Sequence, residues 1–104
     1  MLELKLKADP TFKEKVPLPV PGRGVVEVEF EFKHRTKTEL TKFITESENL
    51  NGVTYVQAVA TAWEFTDEFS KKNIAMLLEE YHGAENAIAT TYVKTLIGAR
   101  VKNS

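Results

Sequence analysis

The side chains able to make or break bonds are few, and their spacing does not bring them together. His34 and His82 each stand beside an element boundary and far apart in the chain. A metal site would need them to meet and recruit a carboxylate, for which no local spacing argues. Ser47, Ser70 and Ser104 are the only serines. None has the setting of a nucleophile elbow, and Ser70 is better explained as a helix cap. Asp67 and Glu68 are paired carboxylates, but acid–base work needs them to face each other across a cleft, and neighbours in sequence point apart. At a helix start they would complement its dipole instead. Gly22-Arg23-Gly24 lacks the further glycine and following helix of a dinucleotide site, and there is no Gly-Lys-Ser/Thr phosphate loop. With no cysteine, disulfides, thiolate nucleophiles and zinc–thiolate sites are excluded together. No catalytic residue, cofactor or metal is expected, and the protein is read as not an enzyme.

Charge offers no stronger lead. Lys33, His34, Arg35 and Lys37 form a basic cluster that a phosphate would suit, yet Glu27, Glu29, Glu31 and Glu39 surround it, so a solvated strand-to-helix junction is the expectation. Across 104 residues, 14 Lys and Arg offset 15 Asp and Glu, which removes any global pull toward nucleic acid or an anionic membrane. Nothing approaches the unbroken apolar run that crosses a bilayer. The opening Met1-Leu2-Glu3-Leu4-Lys5-Leu6-Lys7 alternates apolar and charged residues, unlike a signal peptide, and a cytoplasmic location is expected.

What remains are the aromatic rings of the second half: Tyr55, Trp63, Phe65, Phe69, Tyr81 and Tyr92. A small domain needs most of its rings inside, while one to three exposed between helices would make good anchors for a partner. Phe65 and Phe69 bracket the polar turn Thr66-Asp67-Glu68, and with Tyr81 they are the candidate partner-binding residues. Replacing Phe65 and Phe69 by polar residues should then abolish binding in a domain that stays folded.

The elements that would position these rings follow from pattern. Leu2, Leu4 and Leu6 fit a short half-buried strand or an extended arm. From Phe12 to Val20 the apolar residues share one parity, and Pro17 and Pro19 share the other with Pro21. The prolines thereby strip the donors from one edge of an edge strand and discourage strand addition there. Pro21-Gly22 suits the centre of a type II turn. Val26, Val28, Phe30 and Phe32 then alternate with charged residues, the cleanest period of two in the chain. Thr36 to Glu39 reads as a capping box, and Asn51-Gly52 as the end of the first helical region. Further helices are expected from about Val53 to Trp63, from Ser70 to Tyr81 with Gly83 as terminator, and from about Ala84 to a break at Gly98. Strands precede helices, so the fold class is α+β: an N-terminal antiparallel hairpin or three-stranded meander followed by about four α-helices. The whole chain, 1–104, is expected to form a single domain.

Taken in order, Asp9-Pro10-Thr11-Phe12, the proline-rich hairpin, Phe32-Lys33-His34-Arg35, Trp63, Asp67-Glu68-Phe69, Asn73, Leu77-Leu78, Tyr81, Ala87-Ile88, Tyr92 and Gly98-Ala99-Arg100 with Lys102-Asn103 resemble the tail assembly chaperones of long-tailed bacteriophages. His82 departs from the pattern, in which proline often follows the tyrosine. The resemblance implies a non-enzymatic protein made in the infected or lysogenic bacterium and absent from the finished virion. Its implied partners are the tape measure protein, whose apolar segments it shields, and the tail tube protein. In many relatives a ribosomal frameshift adds a C-terminal extension. The alternatives are a structural tail or connector component and a small prophage-encoded protein-binding adaptor.

Overall fold

Proline chemistry decides one border of the sheet. In the computed structural model, which describes residues 3–98, β1 (Thr11–Val20) and β2 (Gly24–Lys33) pair as an antiparallel hairpin. Pro17 and Pro19 lie opposite Glu27 and Val25; lacking N–H groups they are tolerated only where the donors face away from the ladder. β1 is accordingly an edge strand. The connection is the expected turn: the Arg23 N–H donates to Val20 O at 2.9 Å, and Gly22 has φ +82°, which the third position of a type II turn requires.

Of the strand or extended arm expected at Leu2, Leu4 and Leu6, no strand forms among the described residues, and the sheet takes its third strand elsewhere. Glu3 to Lys5 have no regular structure, Leu2 lies outside the described residues, and Leu4 is 80% exposed. Alternation without a neighbouring strand makes no ladder, and the edge nearest in sequence has lost donors at Pro17 and Pro19. Instead α2 (Gly52–Val59) stops four residues short of the Trp63 end expected for it, and Ala60–Trp63 forms β3 against β2. The second edge of β2 carries free N–H and C=O groups that need partners, and this long-range demand overrides the helical spacing of Val56, Val59, Ala60 and Trp63. The pairing jumps between Glu31 and Phe32, which face Ala62 and Ala60, so Thr61 is the extra residue of a bulge that bends the strand. On the outer face one carboxylate ties the three strands: Thr11 and Thr61 each donate a hydroxyl to Glu31 at 3.1 Å.

Local capping starts three of the four α-helices. At α1 (Lys37–Glu46) Thr36 and Glu39 form the expected reciprocal box. Asn51 begins α2, accepting from the Thr54 N–H at 2.8 Å, where the sequence suggested an ending. Ser70 caps α3 (Lys71–Glu80) through the Asn73 N–H. α4 (Ala84–Ile97) ends at Gly98 with φ +81°. Gly83 has a different reason to be glycine: its φ is −90°, but a Cβ there would stand 2.8 Å from Pro19 Cγ. The missing side chain lets the α3–α4 turn lie against β1.

The architecture is α+β, a three-stranded antiparallel sheet with four helices. Its core joins Val16, Leu18, Val28, Phe30 and Phe32 of the sheet to Val56, Val59, Ile74, Leu77, Ile88 and Tyr92 of the helices. Tyr92 is fully buried, with its ring centroid 5.4 Å from Phe32 and 6.3 Å from both Phe12 and Phe43. Its hydroxyl donates to Lys33 O at 2.8 Å and accepts from Arg35 at 2.7 Å. The adjacent Thr91 hydroxyl is buried with no partner.

Neighbouring hydroxyls should therefore respond oppositely in urea denaturation. Tyr92→Phe leaves the part-buried Lys33 carbonyl without this donor and should lose about 1–2 kcal/mol, whereas Thr91→Val removes an unpaired group and should be neutral or gain about 1 kcal/mol.

Candidate partner-binding site

The end of β3 sets the site. Trp63 stands opposite Phe30 in the ladder, their rings edge-on at 5.9 Å. Its indole N–H donates to Asp67 O at 2.8 Å, which folds the following segment back over the strand end. Phe65 and Phe69 meet the indole edge-on at 5.1 and 5.0 Å, a geometry worth about 0.5–1.5 kcal/mol per pair beyond area burial. The Asn73 side-chain amide holds the other side of the turn by donating to Glu68 O at 2.8 Å. Asp67 and Glu68 thus act through their backbone carbonyls. α3 begins only at Lys71, so the dipole role expected of their exposed carboxylates is displaced.

Between this turn and α3 lies an open cleft of about 380 Å³, walled by Trp63, Phe65, Met76, Leu77 and Tyr81. Asn73, Asp67 and Glu80 supply its polar margin. Of the three residues singled out in sequence, Phe65 and Tyr81 line this cleft together, while Phe69 braces Trp63 and does not line it. All three are half-buried. Met76, 55% exposed, was missed. The sequence carries its signal, because Asn73, Met76, Leu77 and Glu80 follow the i, i+3, i+4, i+7 spacing of one helical face. The cleft is apolar with carboxylates at its edge.

The scattered polar residues stay scattered. His82 is exposed in the α3–α4 turn and His34 sits at the β2–α1 junction. Ser47 donates to Ile44 O, and Ser70 is spent on its cap; Ser104 lies outside the described residues. Among the described residues, no group of three or more His, Cys, Asp or Glu is placed to hold a metal ion. No described helix is long and apolar enough to cross a membrane.

A family model described as phage tail assembly chaperone matches residues 1–103. The chain belongs to this family. No curated protein and no solved structure gives a match. Membership points to a non-enzymatic role in which tail proteins are bound.

The basic cluster of this chaperone is more than a solvated junction. Arg35 is half-buried, its guanidinium 3.9 Å from the centre of the Phe43 ring and donating to the Tyr92 hydroxyl. The aromatic face stands in for part of the water around the guanidinium. Phe43 in turn meets Tyr55 at 5.5 Å. Burial pushes the Tyr55 phenol from 10.0 up to about 12, with Tyr92 adding to the rise and Arg35 opposing it. Burial also raises Tyr92, against the hydrogen bond from Arg35. Glu39 lies below the ordinary carboxylate range because the Thr36 backbone N–H and then its hydroxyl bond to the charged form.

The Tyr55 shift has a signed consequence for the chaperone. The unfolded chain releases this proton near pH 10.0 and the folded chain near 12, so raising the pH through that window favours unfolding. Denaturant midpoints should fall from pH 10 upward, and Tyr55→Phe should make the decline shallower without abolishing it, since Tyr92 still titrates.

Proposed function

We propose that residues 1–104 act as a single domain that binds the tape measure protein in the cytoplasm of the bacterial host and assists tail tube assembly, without catalysing a reaction and without remaining in the finished virion. The observation that carries this reading is the cleft beside Trp63. Its walls are rings and Met76, flexible and apolar enough to accept segments of differing shape. Its edge carries Asp67 and Glu80, so the favoured occupant is an amphipathic helix with an apolar face flanked by Lys or Arg, the helix-in-groove mode of recognition. Shielding such faces is what a long, helix-rich partner needs before it is assembled.

Phe65 and Tyr81 serve as contacts and Phe69 as the support of the wall. Substituting the two phenylalanines therefore tests binding and packing at once, and Met76 separates them. Met76→Asp sets a charge beside Asp67 and Glu80 at an exposed position. It should leave the unfolding free energy within about 0.5 kcal/mol while lowering the soluble yield of co-expressed tape measure protein by about tenfold, the scale of a central interface residue. A folded Met76→Asp protein that keeps its partner in solution as well as the unsubstituted chain would overturn the assignment.

A further inference from the structure

A second cleft, of about 1180 Å³, opens where the segment before β1 passes the start of α1 and the end of α4. Its apolar wall is Leu6, Leu40, Ile44, Leu96 and Ile97. Ile44 and Ile97 are 46% and 63% exposed, so the surface is greasy and uncovered. Its charge is opposite to that of the Trp63 cleft: Lys7, His34, Arg35 and Lys37 line it against a single carboxylate, Glu39, and that carboxylate already accepts the Thr36 N–H at 2.8 Å. The only ion pair among the described residues is Lys5 with Asp9, so Arg35 and Lys37 have no carboxylate partner there. The N-terminus of α1, at Thr36 and Lys37, adds the positive end of a helix dipole.

We infer that this cleft is a second docking site, whose occupant is an acidic amphipathic segment of another protein: apolar side chains laid over Ile44, Leu96 and Ile97, and carboxylates meeting Arg35 and Lys37. Charge complementarity selects that occupant. The chain's own last residues carry Arg100 and Lys102 and would bring like charge to a basic wall. Arg35 is the natural anchor because stacking on Phe43 and bonding to Tyr92 hold its planar donor array in place, and a pre-set guanidinium loses little freedom on taking a carboxylate. The site does not depend on the Trp63 cleft, and the two give the chaperone opposite preferences at two places on its surface.

The test uses fluorescein-labelled synthetic peptides, one repeating Leu-Glu-Glu-Leu-Leu-Glu-Glu and one with every Glu replaced by Lys, titrated with the full chain and read by anisotropy. The acidic peptide should bind, more weakly as salt rises. The double variant Lys37→Glu with Ile44→Asp, both at exposed positions, should weaken it on the order of tenfold, while Met76→Asp leaves it unchanged. Equal binding of both peptides, an unaffected double variant, or loss through Met76→Asp would each overturn the assignment. So would sedimentation showing a dimer that Ile44→Asp dissociates, because the cleft would then belong to a second copy.

Discussion

The structure depends on a continuous run of packed rings whose polar atoms must each find an acceptor. Phe65 touches Trp63, Trp63 touches Phe30, Phe30 touches Phe32, and Phe32 touches Tyr92, which meets Phe43. The rings supply the large buried area that a chain of this size needs. They also impose a condition, since the phenol hydroxyl of Tyr92 cannot be buried unpaired without a cost of about 1–3 kcal/mol, and the indole N–H of half-buried Trp63 takes an acceptor as well. Trp63 meets it at Asp67 O and Tyr92 at Lys33 O. Each bond ties irregular backbone to the core: the β3–α3 turn at one place, and the β2–α1 junction at the other.

The two clefts follow from those attachments. Once the indole has drawn the turn back, Phe65 stands up as a wall facing α3, and Met76 and Tyr81 complete the opposite side. Once the phenol has fixed Lys33, Arg35 falls over Phe43 and leaves Leu40 and Ile44 of α1 facing α4 across a gap. Much of the apolar surface left exposed, Met76 in one cleft and Leu6, Ile44 and Ile97 in the other, lies in two places of opposite charge. The proline-edged β1 keeps the sheet from being a third.

The parts of this arrangement legible in the sequence are those governed by local chemistry. Proline parity in β1, the alternation from Val26 to Phe32, the Thr36–Glu39 box and the Ser70 cap each depend on residues within a few positions of one another. β3 depends on the unpaired edge of β2, about thirty residues away, and no reading of Ala60–Trp63 by itself contains that edge. The same holds for Arg35, whose partners Phe43 and Tyr92 come from two helices. Leu4 and Leu6 mislead for the converse reason: they have the pattern of a strand and nothing to pair with. Phe65 and Tyr81 emerged from ring content alone, while Met76, carrying no ring, did not.

A family resemblance and a ring-walled cleft converge on a binding role, and the chain supplies its own reporter, because Trp63 is its only tryptophan. The direct measurement is Trp63 emission and acrylamide quenching, with and without a tryptophan-free segment of the tape measure protein. Occupancy of the cleft requires a blue-shifted emission and a lower quenching constant in the complex. A stable complex in which Trp63 emits and is quenched as in the free protein would contradict the account.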